Sequence, residues 1–97
     1  MPTYITLINF TDQAIKNIRG TVERQKEAIE KGEKMGAKFK GMYMTMGEYD
    51  IVAIYECDND ELAVAGVVAA AMDGNIRTKT LRAFTTEEFG KIIDMIP

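Results

Sequence analysis

The chain contains no histidine and no tryptophan, one cysteine, and two prolines placed at Pro2 and Pro97. Without histidine the usual base near neutral pH and the usual haem and zinc ligand are both missing, so no metal site and no cofactor is expected. The lone Cys57 has no partner within the chain for a disulfide. No N-terminal stretch joins a charged region to an apolar core and a small-residue cleavage site, and together these features predict a cytoplasmic protein. Positive charge is also short. Twelve Lys and Arg against fifteen Asp and Glu give a net charge of −3, which offers no field for a phosphate backbone, and no nucleic-acid partner is expected. The longest apolar run, Leu62 to Met72, falls well below the roughly 20 residues that cross a bilayer, so no membrane span is expected. With no interior proline, repeat or low-complexity tract, residues 1–97 read as one continuous domain.

What the chain does have is alternation. Tyr4 to Phe10 is rich in β-branched and aromatic residues and runs into Thr11-Asp12, both helix-capping types, so a strand should pass directly into a helix. Ile15, Ile18, Val22, Ala28, Ile29 and Met35 then recur at three- and four-residue spacings opposite a charged face. They predict one long amphipathic helix closing between Gly32 and Gly36. From Ala37 to Met46 a period of two returns, with Lys38, Lys40, Met42, Met44 and Met46 on one side and Phe39, Gly41, Tyr43 and Thr45 on the other. Gly47-Glu48 makes a turn, and Tyr49 to Cys57 a third strand. Asp58, Asn59 and Asp60 supply a cap and negative charge to a second helix through Met72, apolar enough to need cover on most sides. Asp73-Gly74-Asn75 ends that helix, Ile76 to Phe84 forms a fourth strand, and Thr85 or Thr86 caps a short last helix through Phe89, Ile92, Ile93 and Ile96.

The order β-α-β-β-α-β with a C-terminal helix implies an α+β, ferredoxin-like fold in which helices cover one face of a four-stranded antiparallel sheet. A sheet with one wet face should alternate apolar with polar residues. Strand three, Ile51-Val52-Ala53-Ile54-Tyr55, does not, and strand one places Ile5 and Leu7 on one side and Tyr4, Ile8 and Phe10 on the other. Both faces therefore need cover. A two-fold contact with the sheet of a second copy is the simplest complete answer, and Met42, Met44 and Met46 are expected as its contact material.

Met46-Gly47-Glu48-Tyr49-Asp50-Ile51-Val52 and Gly74 through Thr85 resemble the GYD domain family, with Glu48 separating the glycine from the Tyr-Asp pair. The resemblance runs from Tyr4 to Phe89. It implies the dimeric α/β barrel arrangement, a homo-oligomer built from ferredoxin-like units. Relatives on that wider shelf include cofactor-free oxygenases, isomerases and ligand-sensing modules, so the resemblance implies no particular reaction.

Tyr43, Tyr49, Asp50, Asn75 and Arg82 are the candidate ligand-binding residues, expected around a small apolar pocket between sheet and helices. The leading expectation is a homo-oligomeric domain that takes a small apolar or weakly anionic molecule. The second is a cofactor-free enzyme with Asp50 and Tyr49 as acid and base and Arg82 stabilising a developing anion. The third is a purely structural, partner-binding module. Thr78, Thr80 and Arg82 on strand four could line an anion site, against the plainer reading of a solvated edge strand. Asp50 has its own plainer reading as a carboxylate tied into the hairpin. Cys57 reads as a small buried hydrophobe rather than a nucleophile.

Overall fold

The computed structural model describes residues Met1–Pro97. Strand β1 (Thr3–Phe10) alternates strictly, with Tyr4, Thr6 and Ile8 buried and the residues between them half exposed. Thr11 caps helix α1 (Asp12–Lys16), its Oγ1 accepting from the Ala14 N–H at 3.3 Å. The single long helix expected here is in fact interrupted. After α1 come a 3₁₀ turn, Ile18–Gly20, and then helix α2 (Thr21–Lys34). The break falls where Asn17 and Gly20, both poor helix formers, sit within one turn of each other. Side chains take up the carbonyls this frees: Thr21 Oγ1 donates to Ile18 O at 2.6 Å and Arg24 Nη2 to Asn17 O at 2.9 Å. Gly36, at φ 99°, then reverses the chain as expected for a left-handed helix exit.

Strand β2 (Lys38–Met44) pairs antiparallel with β3 (Ile51–Glu56), but the register shifts between Phe39 and Gly41. Lys40 is thus an extra residue in a β-bulge, and every side chain after it changes face relative to simple alternation. Phe39 opposite Tyr55, Met42 opposite Ala53 and Met44 opposite Ile51 all share the helix-covered face, while Tyr43 opposite Val52 shares the open one. This corrects the methionine stripe as sheet-contact material. Met42 and Met44 turn toward the helices, where Met44 Sδ accepts from Gln25 Nε2 at 3.1 Å, and Met46 lies fully exposed in the connection. That connection is longer than a tight hairpin turn. It spans Thr45 to Asp50 and is held to the end of β1 by Asp50 N–H to Ile8 O (2.9 Å) and Asn9 Nδ2 to Glu48 O (2.8 Å).

Asn59 caps helix α3 (Asp60–Ala71) by accepting the Leu62 N–H at 2.9 Å. Strand β4 (Ile76–Ala83) follows, and Thr85 opens helix α4 (Thr86–Ile93) with a complete capping box: Glu88 N–H to Thr85 Oγ1 and Thr85 N–H to Glu88 Oε1. The second of these bonds holds the Glu88 carboxyl below its ordinary range. The sheet order is β2-β3-β1-β4 with every neighbouring pair antiparallel, a ferredoxin-like α+β fold with an added C-terminal helix. Helix α3 is less covered than its composition demands: Val64, Val68 and Met72 form an exposed stripe on its outer side. Helix α4 leaves Phe89 and Ile93 about half exposed, and no other element packs substantially against it.

The small core centres on Tyr4, Ala53, Tyr55, Cys57 and Ala63. Tyr4 stacks on Tyr55 with ring centroids 5.7 Å apart and donates its hydroxyl to Asp60 Oδ1 at 2.5 Å, tying β1 to the first turn of α3. Cys57 is buried there, and burial pushes its thiol pKa up. The bond to the Asp60 carboxylate, aided by desolvation, pushes the Tyr4 hydroxyl up to about 12 from 10.0. Above pH 10 the unfolded chain releases a proton that the folded chain keeps, so Tyr4's contribution is complete below pH 10 and is lost as pH rises toward 12. Urea midpoints measured from pH 8 to 12 should fall through that window, and the fall should be shallower in Tyr4→Phe.

Candidate functional site: the two faces of the sheet

Because residues directly opposite across a ladder share a face, the registers assign every strand side chain. On the face away from the helices Ile5 lies between Ile54 and Leu81, and Leu7 between Val52 and Lys79. Ile5, Leu7, Val52, Ile54 and Leu81 form a continuous apolar centre that no helix covers. Its rim is polar. Lys40 Nζ pairs with Glu56 Oε1 at 3.7 Å on one side, and on the other Lys79 Nζ sits 5.7 Å from the centre of the Tyr49 ring and 3.4 Å from its hydroxyl.

The helix-covered face carries a cleft of about 210 Å³ between the sheet and helices α2 and α3. On the helix side its wall includes the small residues Ala28, Gly32, Ala63, Gly66, Ala69 and Ala70. Gly32 allows a close approach, since a Cβ there would stand 2.8 Å from Phe39 Cε2, whereas a Cβ on Gly66 would meet nothing within 4 Å. On the sheet side Thr6 Oγ1 lies 3.0 Å from Tyr55 OH and 3.0 Å from Thr80 Oγ1, a chain of three hydroxyls. Burial raises the Tyr55 pKa, with the hydroxyl neighbours opposing the shift, so the phenol stays protonated at neutral pH.

Of the five residues expected around this cleft, Asn75 lines it, and Tyr43, Tyr49, Asp50 and Arg82 lie outside. Asn75 is engaged at the corner between α1 and β4, where its Oδ1 accepts from Gln13 Nε2 at 3.0 Å and its carbonyl from Thr11 N–H at 3.0 Å. Tyr43 points to the open face because of the bulge at Lys40. Asp50 Oδ2 accepts the Phe10 N–H at 2.9 Å, closing the last donor of β1. Asp50→Ala should therefore cost about 1–2 kcal/mol in urea denaturation, the price of a strand-end N–H without its partner. Arg82 stands opposite Tyr4 at the other end of β1, its guanidinium 4.5 Å from the Phe84 ring centre and donating to Thr3 O and Ala83 O. Asp50 and Arg82 are thus six residues apart along β1, on the order of 20 Å.

Thr6 and Tyr55 were not among the candidates, although Thr6 is the one polar residue inside an otherwise apolar stretch, Tyr4-Ile5-Thr6-Leu7-Ile8. Thr78, a candidate for an anion site on strand four, lines the cleft, and Thr80 contributes through its bond to Thr6.

The GYD domain family model matches residues 4–93, nearly the whole chain. The chain belongs to the GYD domain family. This GYD protein is also 30% identical over 84 residues to the glutamine synthetase and cystathionine beta-lyase binding protein of Thermus thermophilus, a match covering 86% of this chain and 88% of that one. No solved structure is a significant match to it. Within the GYD domain, the Gly47-to-Asp50 segment holds the β2–β3 connection against β1. Gly47 turns the connection at φ 98°, and Asp50 fastens it to β1.

Proposed function

We propose that this GYD protein is a self-pairing, protein-binding module: two copies join through their open sheet faces, and the pair docks on a partner protein. The observation that carries the reading is surface area. A compact monomer of 10.8 kDa exposes about 5,500 Å², whereas this chain exposes 6881 Å². The excess is larger than the roughly 800 Å² that each partner contributes to a standard interface. Apolar residues in the middle of the uncovered sheet and a polar rim around them match the layout of a two-fold contact. Helix α4, capped at its own N-terminus but unpacked along Phe89 and Ile93, adds a second surface for the paired copy.

The protein-binding half of the proposal draws on the relative, whose name gives two enzymes as bound proteins. The stripe of Val64, Val68 and Met72 on α3 lies outside the sheet-to-sheet contact and suits a partner's apolar groove. Light scattering at micromolar concentration should give twice the chain mass; the single-chain mass would refute the pairing. Titration against glutamine synthetase and against cystathionine beta-lyase tests the docking. Binding to either that is weakened by Val68→Glu supports it, and binding to neither removes the support taken from the relative.

A further inference from the structure

We infer that the cleft under helices α2 and α3 is a binding site for a neutral, mainly aromatic small molecule bearing one hydroxyl or carbonyl group. It lies on the opposite side of the sheet from the pairing face and does not depend on it. The volume, about 210 Å³, exceeds that of cavities of about 150 Å³ known to take up benzene, and suits one or two fused rings. Space exists because the α3 wall carries Ala63, Gly66, Ala69 and Ala70 at positions where a core helix would carry larger side chains. Phe39 and Tyr55, 5.6 Å apart and inclined at 41°, offer the floor aromatic edges and faces for a ring to pack against.

The polar anchor follows from counting protons. Three hydroxyls, on Thr6, Tyr55 and Thr80, share two hydrogen bonds, so one proton remains to donate, and lone pairs remain to accept. Thr80, at one end of the chain, is exposed and lies outside the cleft, whereas Thr6 and Tyr55 line it and are only 2% and 6% exposed, so at the Tyr55 end water has poor access and a ligand's hydroxyl or carbonyl is the natural partner. No charged side chain lies at this floor. The charges bordering the cleft, on Arg24, Glu27, Lys31 and Asp73, are two of each sign and belong to the helix side, so nothing there favours an ionised head group.

The probe is 2-naphthol, titrated into the full chain at neutral pH with amide chemical shifts as the readout, beside naphthalene and 2-naphthoate as controls. Saturable shifts centred on Thr6, Tyr55, Ala63 and Gly66 are expected, with affinity about tenfold weaker for naphthalene and no saturation with 2-naphthoate. Tyr55→Phe should bring 2-naphthol down to the naphthalene level. Gly66→Leu extends a side chain into the open space and should abolish binding; Gly66→Ala, a gentler change in a helix interior, should weaken it while raising the melting temperature. Absence of saturable shifts at millimolar 2-naphthol, equal binding of 2-naphthoate, or undiminished binding in a folded Gly66→Leu protein would each overturn the inference.

Discussion

On the proposed pairing, Ile5→Asp is expected to yield single copies, weakening self-association by more than 100-fold while leaving the fold intact. Ile5 is the residue to change because its cross-strand neighbours on the open face, Ile54 and Leu81, are both apolar. A carboxylate beside Leu7 or at its position would have the Lys79 ammonium at hand, whereas at Ile5 it would be buried without a partner in the joined state, where an unpaired charge costs several kcal/mol. In a single copy the side chain is only partly exposed, so folding loses some apolar burial as well as a strand preference of about 1 kcal/mol. Light scattering and circular dichroism on the same sample separate the two effects. Ile5→Val keeps the apolar contact and should leave the mass unchanged. A folded Ile5→Asp protein that still scatters as a pair would place the contact elsewhere, with helix α4 the next surface to test.

The second large effect concerns Tyr4. Tyr4→Ala should destabilise the fold by about 3–5 kcal/mol, the range for removing a buried aromatic side chain. The ring is only 3% exposed and stacks on Tyr55, its hydroxyl reaches Asp60, and the Arg82 guanidinium lies 5.7 Å from its centre. For a domain with about 5–15 kcal/mol of total stability the loss is a large share, and at this chain length it lowers the melting temperature by on the order of 20 °C. Tyr4→Phe retains the ring and loses only the hydrogen bond to Asp60, so it should cost clearly less than Tyr4→Ala. A Phe variant as unstable as the Ala variant would mean that the bond to Asp60, and with it the docking of α3, outweighs the stacking.

Both effects trace to patterns visible along the chain. The alternation from Tyr4 to Phe10 and the unbroken apolar stretch from Ile51 to Tyr55 already require a sheet with two apolar faces, because a period of two sends neighbours to opposite sides whatever else the chain does. The capping residues Thr11, Asn59 and Thr85 mark helix starts for an equally local reason, since each satisfies the N–H three residues ahead. Apart from the break of the first helix at Ile18–Gly20, the order and type of the secondary structure, and with them the ferredoxin-like layout, were therefore legible in the sequence.

The cleft was legible only in part. Asn75 was expected at it and lines it, but Tyr43 and the methionines could not be placed correctly, because one extra residue at Lys40 reverses the faces of everything after it and a bulge leaves no mark in the hydrophobic period. Asp50 looked available and proved to be bonded to Phe10, a partner forty positions away. Thr6, Tyr55 and Thr80 come from three strands, and only the register brings the Tyr55 and Thr80 hydroxyls each to 3.0 Å from that of Thr6. Local sequence determined which residues alternate, cap and turn, since those are contests between near neighbours. Tertiary structure alone decided which distant side chains meet, and so where this protein has a cleft and what that cleft can hold.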